Sequence, residues 1–262
     1  MSNVDDQIPI AQRVARWNGA VYRRLPPDFS TKGRARFAPS EGYRMLDREV
    51  SPVLSIPFRD LVAEDASPWL AERLRTSFER RKQAQRADVF MHKFTGWPRV
   101  GFLNEVFPES AFINVVRDGR AVALSWLQMP WWQGYRGPEQ WQWGPLPQPY
   151  AQEWAEADQS FVVLAAILWK LLIDAFERAR TTLGGKQWLD VRYEDVLADP
   201  RAHFASMLEI SGLEWTPAFE RGFQRYEFRQ GRLDAFRRDL DAKSVDLLET
   251  SLSAHLERYG YA

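Results

Sequence analysis

The side chains with the greatest chemical potential lie in the stretch Ala111 to Gln128, AFINVVRDGRAVALSWLQ. Arg117 and Ser125 stand eight residues apart there, with Gly119 between them. A planar guanidinium fork and a hydroxyl that converge on one group suit a phosphate, because charge-assisted bonds to an anion are short and strong. The same spacing also fits an ordinary strand–helix corner with a solvated Arg–Asp pair, since short motifs match by chance.

Two elements must position these residues. Ala111, Phe112, Ile113, Val115 and Val116 read as a strand buried on both faces. Arg117-Asp118-Gly119-Arg120 breaks that run, and Ala121 to Leu127 reads as a helix with an apolar face. A buried strand that turns through a glycine into a helix places side chains and backbone N–H groups at the carboxyl edge of a sheet. Open α/β folds bind ligands at that edge, and a helix N-terminus favours anions.

The other elements follow from spacing. Ile10, Val14, Trp17 and Val21 predict a helix over 10–25, stopped by Pro26-Pro27. Thr31 to Arg36 is a basic loop, and a short helix is expected from about Ser40-Glu41-Gly42-Tyr43 to Val50. Residues 57–68 are expected as loop. Ser67 as N-cap and Pro68 at the first position open a helix to about Arg86, with Leu70, Leu74 and Phe78 inward and its arginines on the wet face. Asp88 to Phe94 is expected as a strand, with His92 and Phe94 on one face and Met91 and Lys93 on the other. A short helix at 101–107 leads to the strand before Arg117. Five tryptophans and tyrosines with five prolines between 129 and 150 predict an ordered aromatic flap, equally a loop core or a lid over an acceptor. Phe161 to Leu183 is the longest apolar helix, 187–192 a strand, and 194–197, 201–212 and 244–259 helices. Strands alternating with helices imply a three-layer, mostly parallel α/β sheet.

Three segments carry a resemblance. Arg117-Asp118-Gly119-Arg120-Ala121-Val122 with Ser125 resembles the 3′-phosphate-binding segment of sulfotransferases that use 3′-phosphoadenosine-5′-phosphosulfate (PAPS). Its Arg-Asp-Gly-Arg run is closest to the bacterial and tyrosylprotein branches. Arg192-Tyr193-Glu194-Asp195-Val196 with Asp199-Pro200 looks like that family's strand-ending Tyr-Glu-Asp segment. Arg229-Gln230-Gly231, with Phe236 behind it, is similar to the C-terminal Arg-Lys-Gly segment. The segments occur in the family's order, and the resemblance runs from about Phe90 to the C-terminus.

The resemblance implies a P-loop-hydrolase-like sulfotransferase fold in a single domain over 1–262. Residues 1–87 would form a helical acceptor-side part and 88–262 a nucleotide-binding core carrying the flap at 129–150. It implies that Arg117, Ser125 and Arg229 hold the 3′-phosphate, that Gly231 allows close approach, and that Tyr193 braces the nucleotide or the strand edge. Lys93 falls where the family places a lysine near the bridging oxygen. Thr95 stands where cytosolic members carry a catalytic histidine. A base would then come from Asp5 or Asp6, next from Glu41, and third from His92.

No Gly-rich phosphosulfate loop is recognisable. Thr31-Lys32-Gly33-Arg34 and Ser40-Glu41-Gly42 follow no buried strand. The expectation is therefore a chain that starts after the first strand and its phosphosulfate loop, with impaired sulfate transfer.

Composition sets the remaining bounds. Thirty-five basic and thirty-five acidic residues cancel, so nothing argues for broad nucleic-acid binding. Zero cysteines exclude disulfides and thiol catalysis and fit a cytoplasmic location. No run approaches membrane-spanning length, and 1–9 is not a signal peptide. The acceptor is expected to be a hydroxyl on a small molecule, carbohydrate or lipid, and no metal is expected. The alternatives are a non-catalytic adenosine 3′,5′-bisphosphate binder, or another P-loop nucleotide transferase. The latter would need a Walker lysine and a metal carboxylate that the sequence does not display.

Overall fold

The computed structural model describes residues 41–85, 87–183, 187–228 and 233–261. In chain order these form α1 (Tyr43–Glu49), α2 (Pro68–Gln85), α3 (Val100–Val106), β1 (Phe112–Val116), α4 (Gly119–Leu127), α5 (Gln148–Glu156) and α6 (Phe161–Thr182). They continue as β2 (Trp188–Arg192), α7 (Tyr193–Ala198), α8 (Pro200–Ile210), α9 (Pro217–Phe223), α10 (Ala235–Asp239) and α11 (Ala242–Arg258). The chain divides into two compact units, one of residues 1–110 with 215–227 and one of residues 111–214 with 228–262.

In the first unit, Gly42 enters α1 at φ 68°, a left-handed conformation that a glycine takes without penalty. The predicted start of α2 is observed: Ser67 Oγ accepts from the Leu70 N–H at 3.4 Å, and Pro68 opens the helix. Leu70, Leu74 and Phe78 are buried along one stripe. The arginines of α2, however, are not simply its wet face. Arg81 continues that stripe inward, is 1% exposed, and pairs with both carboxylate oxygens of Glu49 at 2.8 Å. Arg73 and Arg75 donate to the Val50 and Val106 carbonyls, each at 3.1 Å. Loop 57–68 contains a 3-10 turn at Ala63–Asp65, braced by Arg59, which donates twice to Asp65 at 2.8 Å.

The segment expected as a strand over 88–94 begins in a bend and joins no ladder among the described residues. Its alternation nevertheless persists, with Phe90, His92 and Phe94 turned inward while Met91 and Lys93 are exposed. Inward side chains keep period-two order because Phe78, Phe90, His92 and Phe94 stack on one another, with ring centroids 4.4–5.0 Å apart in the three closest pairs.

In the second unit, β1 and β2 pair in parallel, Phe112 opposite Trp188 through Val116 opposite Arg192. The expected many-stranded three-layer sheet is thus, among the described residues, a two-strand parallel sheet in a mostly helical α/β fold. The both-faces burial expected of the first strand fails at Val115, which is 54% exposed. The centre is instead α6, buried continuously from Val163 to Ile173, against which α4, α5 and α11 pack. Leu248, Leu252 and Leu256 of α11 are buried at helical spacing. The flap ends earlier than expected, because residues from Gln148 onward are helical. Buried Trp132 and Trp141 meet edge to face at 6.2 Å, giving it a core of its own. Behind it, Tyr150 donates to Asp174 at 2.5 Å, and buried Lys170 meets Glu153 at 2.6 Å. Helices α9 and α10 carry no sequence prediction. No helix among the described residues is long and apolar enough to cross a membrane.

Candidate functional site

The parallel register puts Val116 opposite Arg192, so Arg117 and Tyr193 leave the two strand ends side by side. The Arg117 guanidinium carbon lies over the Tyr193 ring, 5.1 Å from its centroid. Ser125 is half-buried two turns along α4.

The turn between them is rigidly built. Asp118 caps α4 by accepting from the Arg120 N–H at 2.8 Å. Arg120 returns to the same carboxylate at 2.7 Å, reaches the Tyr261 carbonyl at 2.9 Å, and lies over the Phe236 ring. Burial opposes the Arg120 charge, but Asp118 and Glu249 outweigh it and raise its pKa. Glu194 Oε1 accepts from the Asp118 N–H at 3.1 Å. Two protein carboxylates thus already serve the start of α4. The Asp118 and Arg120 N–H groups are therefore already taken by protein carboxylates. Gly119 is required by contact: a Cβ there would sit 2.8 Å from two Trp169 ring atoms.

The remaining candidates lie in the first unit. Lys93 Nζ pairs with Glu41 Oε1 at 2.6 Å. Burial works to raise the Glu41 carboxyl, but the Lys93 hydrogen bond and charge overcome it and hold it low. Tyr43, two residues on, receives the Thr95 N–H on its hydroxyl at 2.9 Å. Arg99, 1% exposed and left-handed at φ 57°, holds the following turn through the Thr95 and Trp97 carbonyls. His92 is not placed to act as a base. Burial among the phenylalanine rings, followed by nearby positive charges, lowers its pKa to about 3, and its shielded Nε2 has no hydrogen-bond partner among the described residues. Asp5, Asp6, Arg229 and Gly231 lie outside the described residues.

Against this geometry, the model of the sulfotransferase family matches residues 16–217. The chain belongs to the sulfotransferase family. No curated protein and no solved structure matches it. Sulfotransferases are transferases with a P-loop-like fold, and they typically use PAPS. The matched span includes Glu41, Lys93, Arg117, Ser125 and Tyr193 and leaves out Asp5, Arg229 and Gly231. Among the described residues, no group of three or more His, Asp or Glu side chains could hold a metal ion.

Sequence reasoning missed Arg120, Glu194 and Tyr261 as the frame of this sulfotransferase corner. Arg120 and Glu194 sat inside quoted motifs, where their types already offered a pair of charges for fixing a turn. Tyr261 carried no local signal, since its contacts are more than sixty residues away in sequence.

Proposed function

We propose that this sulfotransferase-family chain moves a sulfuryl group from PAPS to a hydroxyl acceptor. The observation that carries the reading is Arg117, at the start of an Arg-Asp-Gly-Arg turn, lying over Tyr193 at a paired strand edge. A cationic fork and the Ser125 hydroxyl would together offer the kind of donors that a 3′-phosphate takes. Arg229 and Gly231 would complete it by resemblance, and Tyr193 would brace Arg117. PAPS supplies an activated sulfuryl group: the acceptor oxygen forms a bond to sulfur, the bond from sulfur to the bridging phosphate oxygen breaks, and adenosine 3′,5′-bisphosphate leaves. By resemblance alone, Lys93 is the lysine that the family sets near that leaving oxygen. By the same resemblance, the acceptor proton would go to Asp5 or Asp6, and next to Glu41. The aromatic flap, with Trp131 and Tyr135 exposed, suits an acceptor with an apolar face.

The experiment is transfer of labelled sulfate from PAPS to a panel of phenols, sugars and lipid headgroups, alongside calorimetry with adenosine 3′,5′-bisphosphate. Turnover that depends on Lys93 supports the reading, and lack of bisphosphate binding overturns it. A second reading, a non-catalytic bisphosphate binder, is favoured by one feature: the Lys93 ammonium is already engaged by Glu41. It expects binding without turnover on any acceptor.

A further inference from the structure

The backbone of Arg117 has two soft torsions, and they lie between the peptide groups that join it to Val116 and to Asp118. Both groups meet the same pair of side chains. The Asp118 N–H donates to Glu194 Oε1 at 3.1 Å, and the Val116 carbonyl lies 3.4 Å from the Tyr261 hydroxyl. That hydroxyl donates to Glu194 Oε2 at 2.8 Å, which closes the bridge. Tyr261 is itself held, because Arg120 donates to its carbonyl at 2.9 Å and the Arg192 guanidinium covers its ring at 4.4 Å. It is 8% exposed.

We propose that Tyr261 is a positioning residue for the 3′-phosphate corner, fixing through Glu194 the backbone torsions from which Arg117 projects. The inference rests on the nucleotide reading above and deepens it by naming the device that aims the arginine. Burial, together with the Glu194 carboxylate, raises the phenol pKa, so the hydroxyl remains a donor at ordinary pH. A preorganised arginine spends no binding energy on fixing its own backbone when the phosphate arrives. Without the phenol, Glu194 loses the donor that orients it, and the Asp118 N–H loses an aligned acceptor.

The test is Tyr261→Phe, which keeps the ring under Arg192 and the carbonyl for Arg120 but removes the hydroxyl. Affinities for adenosine 3′,5′-bisphosphate and for adenosine 5′-monophosphate, which lacks the 3′-phosphate, are compared by calorimetry on the full chain. The expected result is an about fivefold to tenfold loss for the bisphosphate, the scale of one hydrogen bond, with the monophosphate unchanged. A tyrosine with only a structural role would weaken both ligands alike, and that outcome overturns the proposal. Equal bisphosphate affinity in wild type and variant also overturns it, while leaving the nucleotide reading intact. Absence of bisphosphate binding by the wild-type chain overturns both. Should Y261F not fold, Glu194→Gln alters the same bridge from its other side and is read by the same ratio of affinities.

Discussion

Lys93 and Glu41 form an ion pair at 2.6 Å, with 69% of the lysine side chain and 34% of the glutamate side chain exposed. So exposed a pair contributes little to stability, below about 1 kcal/mol. Its consequence is for titration. The Glu41 pKa is lowered from 4.5 although burial alone would raise it, because the Lys93 hydrogen bond and charge, together with a backbone hydrogen bond at Glu41 itself, hold it down. A lowered carboxylate pKa means that the pair's stabilisation is present above pH about 4.5 and is lost as pH falls through the folded-state value. Lys93→Met is expected to move the Glu41 pKa upward, read by carboxyl-carbon NMR titration. An unmoved pKa would show that the pair does not set it.

Arg117→Ala and Ser125→Ala are each expected to weaken adenosine 3′,5′-bisphosphate binding by about 1–3 kcal/mol, the range for charge-assisted bonds. Arg117→Lys keeps the charge but loses the planar fork of donors, and an intermediate loss is expected. Calorimetry measures all three. Unaltered affinity in the alanine variants would remove this corner from the binding account.

Gly119→Ala forces a methyl group to 2.8 Å from the Trp169 ring. Trp169 is only 3% exposed and lies within the most buried helix, so it has little room to retreat. A destabilisation of about 1–3 kcal/mol is expected from overpacking, measured by urea unfolding. A gain in stability would mean that α4 can lift from α6 at no cost.

Arg81→Ala should be more damaging, by about 3–5 kcal/mol, because it removes both 2.8 Å bonds to Glu49 beside the core and leaves the longer Arg48 pairing at 3.7 Å. The double replacement Arg81→Met with Glu49→Leu is expected to recover most of that loss. Unfolding of the two variants beside the parent chain forms the test, and a double variant no better than the single one would contradict it.

The helices around this core were largely legible because caps and periodicity are local properties. Ser67-Pro68, the apolar run of α6 and the leucines of α11 each announce their element within a few residues. The inward arginine of α2 was legible in principle, since position 81 continues the stripe through 74 and 78, but its charge argued for solvent. Segment 88–94 shows the opposite limit. Alternation reports which side chains face inward, whereas a strand also needs a partner ladder, and that is a non-local fact. At the site, Arg117 and Tyr193 were legible from their motifs. The Lys93–Glu41 pair and the Tyr261 bridge were not, because each joins residues distant in sequence through folding alone.

The offset-free pairing of Val116 with Arg192 implies a particular pattern of tolerance to sequence change. Single replacements along β1 and β2 alter packing one site at a time. An insertion or deletion within 112–117 or 188–193 would instead rotate every later side chain to the opposite face and part the Arg117–Tyr193 contact. Lengthening the connection at 137–147 would leave that pairing in frame. Length variation in this lineage should therefore concentrate between the strands and spare them.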